Sequence, residues 1–318
     1  MHPLHHRIKR LNWRDGPILP LGMTAPQYVL INSTLYVGGG QTTDDEDSFR
    51  HNIFEYNPQN DGRLNWTCPF PLCPTKFFGL GELNGKVVVV GGEQDDQIIT
   101  GEVFMMDDHN KWRNNIIPAM KTPRSRPSIV SFKGCIAACG GIVHDNQSKK
   151  VCSSAVEVFR SGDRVWFEVT PLPNPRAALR VTIIYKTAYF LGGYYPSLSS
   201  SGETDCISIE LENLFQSDKG AQRHWNNQFQ ETPHKSSTPA NLCGSLFAIG
   251  GLNQDQPPQQ MDTIYAYCFI VKEWNLIDRL PVRLSSATAI TLSNGELMVL
   301  GGKTSKGRSA NVYIGSLE

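Results

Sequence analysis

The sequence lacks a surplus of either charge: 30 Lys and Arg balance 30 Asp and Glu over 318 residues. Phosphate backbones and acidic membrane surfaces attract proteins through excess Lys and Arg, so no nucleic-acid or membrane partner is expected. No run of 18 apolar residues exists, which excludes a membrane-spanning helix. The start, Met1-His-Pro-Leu-His-His-Arg-Ile-Lys-Arg10, has no apolar stretch behind its charges and does not read as a secretory signal. A reducing, cytoplasmic setting is therefore expected. The eight Cys form no C-x-x-C pair, against a zinc or dithiol site. Several lie in apolar runs, as Cys139 does in Cys135-Ile-Ala-Ala-Cys139-Gly-Gly, and read as small buried hydrophobes. Of the eight His, three crowd the start (His2, His5, His6) and five are scattered, with no H-E-x-x-H. No metal site, cofactor or catalytic constellation is expected. Helical periodicity is also scarce, apart from a short ambiguous run at Ile209-Glu-Leu-Glu-Asn-Leu-Phe215.

What the chain does contain is a repeat. An apolar run ending in Gly-Gly occurs six times, as LYVGG at 35–39, VVVGG at 88–92, AACGG at 137–141, YFLGG at 189–193, FAIGG at 247–251 and MVLGG at 298–302. The first glycines lie 53, 49, 52, 58 and 51 residues apart. Trp66, Trp112, Trp166, Trp225 and Trp274 follow the first five pairs, each with a turn behind it, most of them rich in Leu and Pro. Trp13 precedes the first pair and has the same follow-on, so the first and last segments form one split unit. A turn proline precedes the first glycine by 17 residues in four units, by 18 in the first and by 20 in the last.

Each unit reads as four short strands. Asn84-Gly85 and Asn294-Gly295 supply the positive φ of a type I′ hairpin between the first two. The second strand ends at Gly-Gly, where missing side chains allow close backbone approach. The fold class is all-β. A single four-stranded sheet cannot bury both faces, whereas six arranged radially cover one another, so a six-bladed propeller is expected. Units of about 20–68, 74–114, 122–168, 174–227, 232–276 and 281–318 make one domain, with residues 8–15 as the outer strand of the last blade. Such a closed ring is expected to be monomeric. The Trp and the third-strand aromatics Tyr56, Phe104, Phe159, Tyr267 and Tyr313 recur with the blades and read as core. The fourth unit departs, with Cys206-Ile-Ser-Ile-Glu210 in place of an aromatic third strand and an insertion around 213–221.

Hydrophobic-Gly-Gly, an aromatic third strand, Trp, Leu-Pro and then Arg, six times over, resembles the Kelch repeat across essentially the whole chain. No Trp-Asp dipeptide occurs, against the WD-type propeller. The resemblance implies that loops after Gly-Gly and the lead-in to the innermost strand converge around a channel mouth that binds partners. By position, the residues after the glycine pairs are Gln41, Glu93, Ile142, Tyr194, Leu252 and Lys303. Those 14 before each first glycine are Thr24, Phe77, Arg126, Ala178, Ser236 and Ala287.

From this set Arg126, Tyr194, Glu93, Lys303, Gln41, Phe77, Ser236 and Thr24 are the expected partner-binding residues. Arg126 matches the arginine that peptide-binding Kelch adaptors place in their pocket, and its fork suits a carboxylate. Its alternative is to bond neighbouring blade carbonyls, as Arg124 could. Tyr194 matches the post-glycine tyrosine of the same pockets, with rim packing as its alternative. The polar loops 41–51 and 144–150 are either partner contacts or solvated turns. The expected function is a non-enzymatic module that holds a protein or peptide, as in ubiquitination or cytoskeletal adaptors. Six blades use all 318 residues, so no BTB domain is expected within the chain. A sugar-acid mutarotase is the alternative, with Glu93 and Arg126 as its acid/base nominees.

Overall fold

A computed structural model describes residues 10–42, 52–57, 66–68, 75–94, 96–194, 204–216, 224–227 and 229–317. Six antiparallel sheets follow one another along the chain, and the architecture is a six-bladed propeller. Blades 2, 3 and 5 have four strands each, starting at Gly79–Leu83, Ser128–Phe132 and Thr238–Leu242, and in blade 3 a separate hairpin is inserted between the second and third. Blades 1 and 4, starting at Gln27–Ile31 and Arg180–Ile184, show three strands each among the described residues. In these two the Trp segment makes a single bridge among the described residues, Glu55 to Thr67 and Ser208 to Asn226. Blade 6 comprises Thr288–Thr291, Leu297–Leu300 and Val312–Leu317, with Leu11–Asp15 paired antiparallel to the last. Among the described residues no helix is long and apolar enough to cross a membrane.

Alternating side chains on each blade pack against both neighbours, so the apolar core is divided into wedges. Val29 and Ile31 of blade 1 meet Phe78, Leu80 and Val89 of blade 2. Blade 6 meets blade 1 through Ile290, Met298 and Ile314 against Leu35, Val37 and Phe54. Burying these side chains is worth roughly 1.5–3 kcal/mol each before conformational entropy is subtracted.

Trp66, Trp166, Trp225 and Trp274 fasten one blade to the loop leaving the previous blade. The indole N–H of Trp166 donates to the Pro118 carbonyl at 2.7 Å, and that of Trp66 to the Pro17 carbonyl at 2.9 Å. Tyr56, Phe159 and Tyr267 pack on Trp66, Trp166 and Trp274. In blade 4, where the third strand has no aromatic, Phe190 of the second strand meets Trp225 at 5.4 Å between centroids. The ambiguous run 209–215 divides between the strand Cys206–Glu210 and a short helix, Leu211–Phe215, whose Leu211 and Leu214 are buried.

The glycine pairs act between blades as well. At Gly91 and Gly140 a Cβ would lie 2.3 and 2.4 Å from the carbonyls of Arg124 and Arg176, so no side chain fits. The next glycine's N–H donates to the same carbonyl at 2.9 Å in both cases. Each Gly-Gly thus presses its blade against the lead-in of the following one.

Candidate functional site

Each lead-in places one residue in the left-handed region just before the inner strand: Ala25, Phe77, Arg126, Ala178, Ser236 and Ser286, with φ between 51 and 59°. Non-glycine residues pay about 1 kcal/mol or more for this conformation. Its sixfold recurrence assigns that cost to the fold rather than to one site. The rim residues are linked by backbone hydrogen bonds, Arg126 N–H to the Phe77 carbonyl at 2.7 Å and Ala178 N–H to the Arg126 carbonyl at 3.1 Å. The residue before each pairs with the segment after Gly-Gly, as Lys76 does with Glu93 and Ala177 with Tyr194.

Two positions in the expected rim set shift by one. In the first unit Gly38 is the last strand residue, paired with Ile53, while Gly39 and Gly40 adopt positive φ. The rim residue there is Ala25, and Thr24 is buried, donating to the Gln41 carbonyl. In the last unit the turn between Leu292 and Glu296 has three residues, one more than the two-residue turn between Phe132 and Cys135. Leu292 N–H bonds the Glu296 carbonyl, and in the turn only Gly295 has positive φ, so Asn294-Gly295 is not a type I′ turn. The rim residue becomes Ser286 instead of Ala287. Asn84-Gly85 does have positive φ at both residues.

Arg126, Phe77 and Tyr194 come together over blades 2 to 4. The Arg126 guanidinium lies 4.2 Å above the Phe77 ring centroid and donates from Nη1 to the Tyr194 hydroxyl at 3.0 Å. Its buried Nε has no hydrogen-bond partner, and no carboxylate pairs with it among the described residues. Burial raises the Tyr194 phenol above its ordinary pKa, against the opposing pull of Arg126. The phenol is therefore neutral and can itself donate a hydrogen bond. Cys152 donates to the Tyr194 carbonyl, and burial pushes its thiol up to about 11, so it is not a thiolate at neutral pH.

Glu93 differs from its expected role as a presented rim group. It is 5% exposed, and its two oxygens accept from Ser125 Oγ and Lys150 Nζ, both at 3.0 Å. Lys150 reaches it from the hairpin formed by Ile142–His144 and Lys150–Cys152, so the polar loop 144–150 is an ordered turn. Within that turn Asp145 accepts from the N–H groups of Gln147 and Lys149. Gln41 and Lys303 are exposed and Ser236 is partly buried, on blades 1, 6 and 5. Among the described residues no hydrogen bond or ion pair joins these three to Arg126. Most of the polar loop 41–51 lies outside the described residues.

Arg124 takes the bonding that was the alternative for Arg126. Fully buried, it donates to the carbonyls of Thr122, Gly140 and Ala155 and pairs with buried Glu157. Arg176 in the next unit pairs with both oxygens of Asp205, at 2.7 and 2.6 Å. At the equivalent place in blade 5, His234 bonds Thr263 through Nε2, and burial lowers its pKa. Among the described residues no group of three His, Cys, Asp or Glu could hold a metal ion. Sequence reasoning missed Ser125 and Cys152, and had Lys150 only as the end of the polar loop 144–150, because each joins the pocket through a partner far along the chain.

No family model matches the chain. It is 24% identical over 153 residues, 48% of its length, to Kelch-like protein 41a of Danio rerio. It is 21% identical over 221 residues, 66% of its length, to Kelch repeat and BTB domain-containing protein 12 of Homo sapiens. Kelch-like protein 40 of Mus musculus matches at 25% over 188 residues. The match spans only about a quarter of each relative, 24, 27 and 28%. The solved structure of YjhT superimposes with a TM-score of 0.72 at 14% identity, over 95% of this chain and 96% of that one. That likeness concerns the fold alone. The sixfold sequence pattern, the six-bladed ring and the Kelch-like relatives all support a Kelch-repeat propeller, the family that the chain resembles.

Proposed function

We propose that this propeller is a non-enzymatic protein-interaction module that captures a protein or peptide segment at its channel-mouth face. An acidic side chain or chain terminus of the partner docks on Arg126 between Phe77 and Tyr194. The observation that carries this reading is the Arg126 guanidinium itself, stacked on an aromatic ring and lacking any carboxylate among the described residues. A bidentate carboxylate supplies what that fork lacks. Phe77 and Tyr194 give the apolar body and polar tip common in binding hot spots. Gln41, Lys303 and Ser236 form the outer rim that the bound segment crosses. The chain acts as a cytoplasmic monomer and serves as an adaptor, with substrate selection for ubiquitination or cytoskeletal attachment as its two settings. The mutarotase reading draws no support from the acid/base nominees, because both oxygens of Glu93 already accept hydrogen bonds.

Affinity purification with wild-type chain and with the double variant Arg126→Ala, Tyr194→Ala tests the assignment. Partners held by the wild type are expected to fall at least tenfold in the variant, whose melting temperature stays close to that of wild type. A variant that retains every partner shows the pocket to be misassigned.

A further inference from the structure

The central channel lies beside the Arg126 pocket and is a separate space. The inner strands of the blades line a cavity of about 340 Å³. At its rim-side end stand the first inner-strand residues, Gln27, Gly79, Ser128, Arg180, Thr238 and Thr288. Three of them are hydroxyls already bonded to lead-in carbonyls: Ser128 to Leu179, Thr238 to Ala287 and Thr288 to Pro26, at 2.8, 2.8 and 2.6 Å. These seal one blade to the next and need nothing more.

Arg180 is different in kind. It reaches from blade 4 to blade 1 on the opposite side of the ring, where Nη1 donates to the Pro26 carbonyl at 3.2 Å. That carbonyl also accepts from Thr288, and it is the one hydrogen-bond acceptor of the guanidinium among the described residues. The remaining N–H groups of Arg180 face the cavity that it lines. The acid of that cavity, Glu82, is at the far end, three positions farther along its inner strand than Gly79, or roughly 10 Å away. There Glu82 accepts from the Gly85 N–H at 2.6 Å. Burial pushes the Arg180 guanidinium down to about 10, and no neighbouring charge acts to raise it. It is still cationic at neutral pH. Arg180 is half-buried, and a charge partly withdrawn from water with one neutral acceptor gains from a counter-ion that completes it.

We infer that Arg180 anchors an oxyanion site in the channel mouth, where a carboxylate or phosphate group entering from the loop face takes the free edge of the guanidinium. The fork supplies two parallel donors to such a group. Gln27, which follows Pro26 in the same ring, has an amide with no hydrogen bond among the described residues and adds a neutral donor. The anion has two sources, a free small molecule or an acidic side chain of the bound partner. The first does not depend on the partner reading above.

Thermal melting and titration calorimetry of the full chain, with inorganic phosphate and glutarate as probes and sodium chloride at matched ionic strength, test this site. The wild type is expected to melt higher with phosphate or glutarate in a saturable way. Arg180→Met is expected to bind at least tenfold more weakly. In chloride alone Arg180→Met is expected to melt at or above wild type, since the unpaired charge is gone. Should Arg180→Met fail to fold, Arg180→Gln, which keeps a donor for the Pro26 carbonyl, replaces it. Partner capture by the Arg180 variant separates the sources: capture lost without any response to the free probes assigns the site to the partner's acid. An equal probe response in wild type and variant overturns the site. So does a wild type that answers neither probe, together with a variant that captures partners undiminished.

Discussion

Arg124 and Arg126 stand two residues apart on one lead-in and differ in everything that surrounds them. Arg124 points into the seam between blades 2 and 3, with carbonyls and the Glu157 carboxylate filling its donors. Arg126 points into the rim, where a ring face and a phenol receive it and its Nε is unpaired. Blade 4 repeats the contrast four residues apart, with Arg176 held by Asp205 and Arg180 left with one carbonyl. Each inner arginine is paired with a carboxylate of the fold, and among the described residues neither outer one is. The presence or absence of a carboxylate partner therefore separates the arginines that hold the propeller together from those we propose as ligand-facing.

The largest effect that sharpens this contrast is expected at Arg124. Arg124→Ala leaves Glu157 charged and buried, at a cost of about 3–5 kcal/mol. Glu157 also accepts from the backbone N–H groups of Lys121 and Thr122, so Glu157→Ala strands three donors and is expected to cost as much. Denaturant unfolding followed by tryptophan fluorescence measures both. Arg176→Ala is expected to cost less, about 1–3 kcal/mol, because its partner Asp205 is 37% exposed and water can take over part of its solvation. At the rim, Tyr194→Phe removes one hydrogen bond and is expected to cost about 0.5–1.5 kcal/mol of stability, with partner release faster by surface plasmon resonance.

The pH dependence of Arg180 gives the smallest and most specific signal. Its folded pKa of about 10 is below the ordinary value of 12.5, so the folded chain binds that proton less tightly than the unfolded chain. The resulting penalty is full below pH 10 and fades as the pH rises towards 12.5. The difference in stability between Arg180→Met and wild type should therefore narrow across that window. A difference that does not change with pH would show that the guanidinium is completed by a group of the protein itself.

The periodicity carried most of the fold. Six glycine pairs, six Trp and the turn prolines suffice for the blade count, since each reflects a contact that every blade must repeat. Register was less legible. Three consecutive glycines at 38–40 hide which two adopt positive φ, and one extra turn residue before Leu297 moves the last rim position to Ser286. Of the site, Arg126, Phe77 and Tyr194 were legible because their places repeat with the blades. The fate of Glu93 was not, because it depends on Lys150, 57 residues away across a hairpin. The role of Arg124 depends on Glu157, 33 residues downstream, and no local pattern distinguishes it from Arg126. Arg180 was overlooked because counting from the glycines ends at the rim, two residues before the channel begins.

The most direct test is the difference in melting temperature between Arg124→Ala and Arg126→Ala, measured side by side. At about 2 °C per kcal/mol for a chain of this size, Arg124→Ala is predicted to melt roughly 6–10 °C below wild type. Arg126→Ala is predicted to stay within about 2 °C of it, since no carboxylate is left behind. Equal losses in the two variants would contradict the account, because Arg126 would then be a blade fastener and not a free binding group.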